Sequence, residues 1–229
     1  GIGCDQVMII EDTLNPESFK MKMYNSDGTE TGACGNGSRC VASFLMNKNS
    51  LNSLTLETMS GGLKCFKTNN LVTVNMGKPK FKWTDIPLST DMDPQKVKLG
   101  NFDAFCLSMG NPHAVIFLEN LDELESLDLN AVGPKLEKYS LFPEFANIEF
   151  ACVINDGSIR MRVWERGVGT TLACGSGACA TLVAASVLNK SPKKNKIILD
   201  GGDLFVNWIN DGSVTLTGDV EKVFEGTIG

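Results

Sequence analysis

Two cysteines stand in matching surroundings. Ala33-Cys34-Gly35-Asn36-Gly37 recurs as Ala173-Cys174-Gly175-Ser176-Gly177, 140 residues later. Small and apolar residues follow each copy, Val41-Ala42-Ser43-Phe44-Leu45 in the first and Ala180-Thr181-Leu182-Val183-Ala184-Ala185 in the second. Each run reads as a helix opening just after its cysteine. The start of a helix carries unpaired N–H groups and a partial positive charge, which favours the thiolate of a cysteine placed there. The glycines let a ligand come close to the backbone. The amides of Gly35, Asn36, Gly175 and Ser176 are then placed to bind a carboxylate. Two such helix starts, facing each other by pseudo-twofold packing, would put a thiol on each side of a carboxylate-bearing carbon. That suits racemisation: one thiolate removes the α-proton from one face, and the opposite thiol returns a proton to the other. This chemistry needs no cofactor. No lysine motif suggests a pyridoxal Schiff base, and a single histidine, His113, argues against a His-rich metal site.

The repeat extends beyond the cysteines. Gly61-Gly62 recurs as Gly201-Gly202, and Val72-Thr73-Val74 recurs in kind as Val214-Thr215-Leu216. Three blocks in one order, at nearly one interval, point to two copies of one fold. Helices are expected over about 36–47 and 176–189, closed by polar stop signals at 47–49 and 189–192. Strands are expected at 54–59, 63–67 and 71–75, and again at 196–200, 203–208 and 213–217. Asn69-Asn70 and Asn210-Asp211-Gly212 supply hairpin turns. Further strands precede each helix, at 6–11 and 19–24, then at 104–109, 113–118, 149–154 and 158–164. The expected fold class is α+β: two tandem pseudo-symmetric domains, each a mostly antiparallel sheet wrapped around a central helix. The expected division is 1–103 and 104–221, with 222–229 a tail returning to the first domain.

Composition narrows the function classes. The chain has 229 residues, 42% apolar and 21% charged, which is ordinary for a globular protein. A net charge of −6 without a basic block makes nucleic acid and anionic membranes poor partners. No apolar run reaches a membrane-spanning length. Eight cysteines are too sparse for a small disulfide scaffold and read as reduced thiols of a cytoplasmic protein. Cys4, Cys65, Cys106 and Cys152 on strand-like segments, and Cys40 and Cys179 within the helices, read as buried packing residues.

Several segments together carry a family resemblance. They are Gly1-Ile2-Gly3-Cys4-Asp5-Gln6, Tyr24-Asn25-Ser26-Asp27-Gly28, Ala33-Cys34-Gly35-Asn36-Gly37-Ser38-Arg39-Cys40 and Ser108-Met109-Gly110-Asn111-Pro112-His113, then Trp164-Glu165-Arg166-Gly167 and Ala173-Cys174-Gly175-Ser176-Gly177-Ala178-Cys179-Ala180. In this order, over nearly the whole chain, the sequence resembles the diaminopimelate epimerase family. The resemblance implies cofactor-independent interconversion of L,L- and meso-diaminopimelate in lysine and cell-wall precursor biosynthesis, in a cytoplasmic homodimer. It implies Cys34 and Cys174 as the acid–base pair, with Gly35, Asn36, Gly175 and Ser176 on the reacting carboxylate. Asn25, Asn111, Asn147 and Arg166 would hold the far end of the substrate, with Glu165 near its amino groups. Gln6 and His113 would line the site. The family pattern also has an earlier asparagine-bearing segment. The chain opens without methionine into Val7-Met8-Ile9-Ile10, which reads as the middle of a domain, so a preceding segment is expected.

Three other readings remain. Proline and hydroxyproline racemases share the chemistry, but proline offers no second amino-acid end for Arg166 and the asparagines. A four-thiol zinc site would need Cys34, Cys40, Cys174 and Cys179, whose spacing within each helix keeps the thiols off one face. A binding protein without activity is the third.

Overall fold

The computed structural model of the chain describes residues 3–4, 6–32 and 34–227, and at Thr31 the backbone alone. Gly1, Ile2, Asp5 and Ala33 of the motifs above, and the last two residues of the tail, lie outside the described residues.

The chain forms two compact units. The first comprises residues 1–75 and 217–229, and the second Met76–Leu216. The division falls after Asn75 rather than near 103. The reason is packing: Ile86, Leu88, Val97 and Leu99 are buried in one cluster with Ala104, Cys106, Ile116 and Phe150 of the second unit.

In the first unit, β1 (Gln6–Asp12), β2 (Ser18–Asn25) and the short β3 (Glu30–Thr31) precede helix α1 (Gly35–Lys48), and β4 (Ser53–Thr58), β5 (Gly61–Thr68) and β6 (Leu71–Asn75) follow it. The sheet runs β1-β2-β4-β5-β6, with β3 on β2. Strand β2 pairs antiparallel with β1 and parallel with β4, and hairpins join β4 to β5 and β5 to β6. Asn69 turns the second hairpin with φ 56°, a left-handed conformation that asparagine tolerates. Val41, Ala42, Leu45 and Met46 bury one stripe of α1, at helical spacing, while Phe44, Asn47 and Lys48 stay exposed.

The second unit repeats this order. Strands β10 (Asn147–Val153), β11 (Ile159–Glu165) and β12 (Gly169–Thr171) precede helix α4 (Gly175–Val187); β13 (Lys194–Leu199), β14 (Gly202–Trp208) and β15 (Val214–Gly218) follow. Again the second strand of the set pairs antiparallel with the first and parallel with the fourth, here β11 with β10 and β13. Before the repeat come β7 (Val97–Leu99), β8 (Phe102–Ser108), β9 (Pro112–Phe117), α2 (Leu121–Ser126) and α3 (Leu129–Glu137). The order is β15-β14-β13-β11-β10-β9-β8-β7, with β12 on β11. The fold class is α+β with a duplicated strand–helix–strand plan.

Strand alternation then sorts the second unit into two cores. Phe105, Leu107, Val115, Ala151, Met161 and Val163 point to one side of the sheet, against α4. Ala104, Cys106, Ala114, Ile116, Ile148, Phe150 and Cys152 point to the other, toward Leu124, Leu129 and Leu136 of α2 and α3. Helix α4 has apolar or small residues all round, and Ala178 to Ala185 are buried without a break. Its composition suits a helix enclosed by sheet rather than one lying on a surface. Among the described residues, no helix is long and apolar enough to cross a membrane.

Candidate active site

Cys34 and Cys174 are the N-cap residues of α1 and α4, both extended in backbone, and they occupy the same place in the two repeats. The Cys34 thiol accepts the backbone N–H of Gly37 at 3.3 Å. Gly35 and Asn36 open α1, as Gly175 and Ser176 open α4. Strand β1 brings Gln6 opposite Asn25 of β2, and the Gln6 amide donates to Asn25 Oδ1 at 3.1 Å. The Asn25 amide in turn donates to Thr29 Oγ1 at 3.1 Å, and Thr29 is held by Asp27.

In the second unit the expected residues form a connected chain. His113 on β9 lies opposite Asn147 on β10. The His113 Nε2 meets Asn111 Oδ1 at 3.0 Å, and the Asn111 amide donates to Ser176 Oγ at 3.4 Å. Ser176 Oγ is 3.6 Å from Cys174 Sγ. Asn147 locks the loop after β11: its Oδ1 accepts the backbone N–H of Arg166 at 3.0 Å, and its amide donates to Pro112 O at 3.0 Å. Thr171 of β12 donates its hydroxyl to Glu165. The Arg166 guanidinium donates to Glu144 O at 3.2 Å.

Two residues absent from the sequence reading belong to this chain. Glu149, wholly buried on β10, places Oε1 2.7 Å from His113 Nδ1. Glu137, at the end of α3, accepts the Trp164 indole and the Gly167 N–H, each at 2.8 Å. The signal for Glu149 was present: in Asn147-Ile148-Glu149-Phe150-Ala151, period-two alternation puts Asn147 and Glu149 on one face of a strand. Glu137 gave no such signal, since a glutamate near a helix end reads as solvated.

The thiols differ from expectation in two ways. The Cys174 thiol is pushed well above its ordinary range, by burial first and then by the charges of Glu165 and Glu149. The helix start does not prevail here, because Cys174 is 5% exposed and withdrawal from water acts directly on the charged form. Cys4 and Cys40 are exposed rather than packed. Cys40 falls on the solvent side of α1, between the buried positions 39 and 41. Cys65, Cys106, Cys152 and Cys179 are buried. Among the described residues, no three His, Cys, Asp or Glu side chains gather as metal ligands would.

The diaminopimelate epimerase family model matches residues 1–82 and 105–223. The chain belongs to the diaminopimelate epimerase family. The diaminopimelate epimerase of Rhodospirillum centenum is 46% identical over 233 residues, covering all of this chain and 79% of the relative. That of Acidiphilium cryptum is also 46% identical over 233 residues, covering 82% of the relative. Among solved structures, a Clostridium difficile protein described as a putative phenazine biosynthesis PhzC/PhzF protein superposes with TM-score 0.70 at 15% identity, covering 98% of this chain and 83% of that one. A hydroxyproline epimerase from Agrobacterium vitis superposes with TM-score 0.65 at 15% identity, covering 93% and 71%. These two likenesses concern the fold alone.

Proposed function

We propose that this chain is a cofactor-independent epimerase interconverting L,L- and meso-diaminopimelate, with Cys34 and Cys174 as its two acid–base groups. The observation that carries the reading is the placement of one cysteine at the N-cap of the same helix in each repeat, in a chain of this family. Inversion at carbon needs a base for one face and an acid for the other. One cysteine, as thiolate, takes the α-proton and leaves a carbanion stabilised by the adjoining carboxylate. The other, as thiol, gives a proton to the opposite face and becomes the thiolate, so the two exchange roles with direction. Burial keeps the Cys174 proton in place, which favours Cys174 as the resting proton donor. The N–H groups of Gly35, Asn36, Gly175 and Ser176 are the donors for the carboxylate. Asn25, Asn111, Asn147, Glu165 and Arg166 are assigned to the rest of the substrate. The partner is then a small molecule, and reduced thiols fit a cytoplasmic reaction.

The test is proton NMR in deuterium oxide, with reduced protein, L,L-diaminopimelate and nothing else added. The α-proton signal should vanish as the meso isomer appears. Cys34→Ala and Cys174→Ala should each lower turnover by about 10³-fold or more, as loss of one member of a two-group proton relay does. Substantial turnover by either variant would sink the two-thiol assignment, and an unchanged α-proton with wild-type protein would sink the substrate assignment.

A further inference from the structure

The two repeats differ beneath their cysteines. The third residue of the first repeat's opening strand is Met8, and the corresponding residue of the second is Glu149. Both lie under the glycine three residues after the cysteine. A Cβ built on Gly37 would lie 2.0 Å from the Met8 methyl and 3.4 Å from Cys34 Sγ; one built on Gly177 would lie 2.8 Å from Glu149 Oε1 and 3.3 Å from Cys174 Sγ. One thiol therefore has a thioether for a neighbour, and the other a carboxyl group.

That carboxyl group is unusual in its surroundings. Glu149 and His113 are both wholly buried, and Glu149 Oε2 has no hydrogen-bond partner. A 2.7 Å contact between Nδ1 and Oε1 in a dry site needs a proton between them, since two lone pairs at that distance repel. His113 Nε2 faces Asn111 Oδ1 and so carries a proton of its own. The pair then holds two protons and is neutral overall, whichever atom owns the shared one. Neutrality is what burial demands, because an ionised carboxylate with an unpaired oxygen is costly away from water. Burial accordingly pushes the Glu149 carboxyl up, His113 opposes the rise, and Glu165 adds to it. The titratable groups whose charges act on or feel Glu149 are Cys106 on β8, from the other side of the sheet, Glu165 on β11 and Cys174 on α4.

We propose that Glu149 and His113 are a positioning pair whose shared proton keeps the site beneath Cys174 neutral, so that Cys174 can become a thiolate, while Asn111 carries the pair's orientation to Ser176. This rests on the acid–base role given to Cys174 above. In the half-reaction where Cys174 is the base, its new negative charge meets a neutral pair. Loss of the shared proton at alkaline pH leaves a buried negative charge there instead, and that half-reaction slows. Met8 cannot ionise, so Cys34 has no such control from its strand.

The experiment combines kinetics with a spectroscopic readout on the whole chain. His113 is the only histidine, so ¹⁵N-histidine labelling gives one ring to observe. In wild type, the shared proton should be found either on the ring Nδ1 or on the Glu149 carboxyl, read together by the ¹⁵N and carboxyl ¹³C signals. In Glu149→Gln the amide N–H replaces the shared proton as donor, and Nδ1 should read as a bare acceptor. Glu149→Gln should keep turnover at pH 7.5 within about fivefold and move the alkaline fall of the rate to higher pH. Glu149→Met, which copies the first repeat, should lower kcat about tenfold or more with a smaller change in KM. Superimposable pH profiles of wild type and Glu149→Gln would overturn the proposal. If either variant unfolds, the wild-type ring signal still decides: a single N–H on the ring with Nδ1 as acceptor at pH 8 refutes the charge-balancing pair, unless Glu149 itself carries the proton, which a carboxyl ¹³C titration reads directly. Failure of wild-type protein to epimerise diaminopimelate would refute the functional reading, while the ring signals would still report on the pair.

Discussion

Trp164 donates its indole N–H to Glu137 at 2.8 Å, tying the end of β11 to the end of α3. The other oxygen of Glu137 takes the Gly167 N–H. The carboxylate therefore brackets Glu165 and Arg166, two of the residues assigned to substrate. Glu137 itself is 4% exposed, so the carboxylate is held in place by its surroundings. Glu137→Ala should raise KM for diaminopimelate about tenfold with a smaller effect on kcat, the pattern of lost binding rather than lost chemistry. It should also lower stability by about 1 kcal/mol for each hydrogen bond lost. Steady-state kinetics and a urea melt check both. Glu137→Gln should rescue only part, because its NH₂ end meets one of the two donors.

The glycine three residues after each cysteine offers a contrast. Gly177→Ala drives a methyl group into Glu149 Oε1, whose side chain is buried and held by His113. Gly37→Ala meets the free end of the Met8 side chain, which can swing away. Alanine gains about 1 kcal/mol over glycine within a helix, so neither change should weaken its helix. Gly177→Ala should lose activity about tenfold or more, and Gly37→Ala less, as misplacement of a catalytic group does. Equal losses in the two variants would contradict the difference in packing.

Thiol reactivity should follow exposure. Cys4 and Cys40 are exposed, while burial pushes Cys65 up to about 12 and Cys106 higher still. Iodoacetamide at pH 8 followed by peptide mapping should label Cys4 and Cys40 first and leave Cys65, Cys106 and Cys179 unlabelled in native protein. Urea should abolish the difference. Cys65→Ala should change stability and leave turnover alone.

Glu149 also predicts a pH dependence of stability. Its carboxyl titrates near 4.5 when unfolded and higher when folded. The folded state then holds a proton that the unfolded state has lost, so its contribution is fullest below pH 4.5 and declines as pH rises toward the folded value. Glutamine cannot ionise. The unfolding free energy of Glu149→Gln, minus that of wild type, should therefore increase between pH 5 and pH 8 in urea melts. A difference that stays constant over that range would mean that Glu149 titrates alike in both states.

The repeated elements were legible in sequence because each signal was local. Glycine and asparagine turns closed the hairpins, small residues marked α1 and α4, and the duplicated cysteine blocks aligned the two halves. The structure extends the expected helices to 35–48 and shortens the second to 175–187. What was not legible lacked a local signal. The short β3, β7 and β12, of two or three residues each, have too few positions to show alternation, and α2 and α3 carry mixed polarity, with Pro134 and Gly133 inside α3. Gly133 is required there because the Trp164 ring lies 2.4 Å from where its Cβ would stand. The site divides in the same way. The repeat singled out Cys34 and Cys174, and the family resemblance the asparagines, while the packing of β10 against α4 shows Glu149 beneath Cys174. The rise in the Cys174 thiol was also hidden, since sequence places the residue at a helix start without showing how deeply that start is enclosed.

The pairing of Met8 with Glu149 has a consequence for how a doubled fold can diversify. The helix, the cysteine and the glycine beneath it can stay the same in both halves, so the scaffold needs no second solution. A single inward-facing strand position per half then acts as an independent dial on local charge, adjustable without disturbing sheet register or helix packing. Exchange of the two side chains, with methionine at 149 and glutamate at 8, would transfer that setting from one thiol to the other, while the equilibrium between the isomers, which belongs to the substrate, stays where it was.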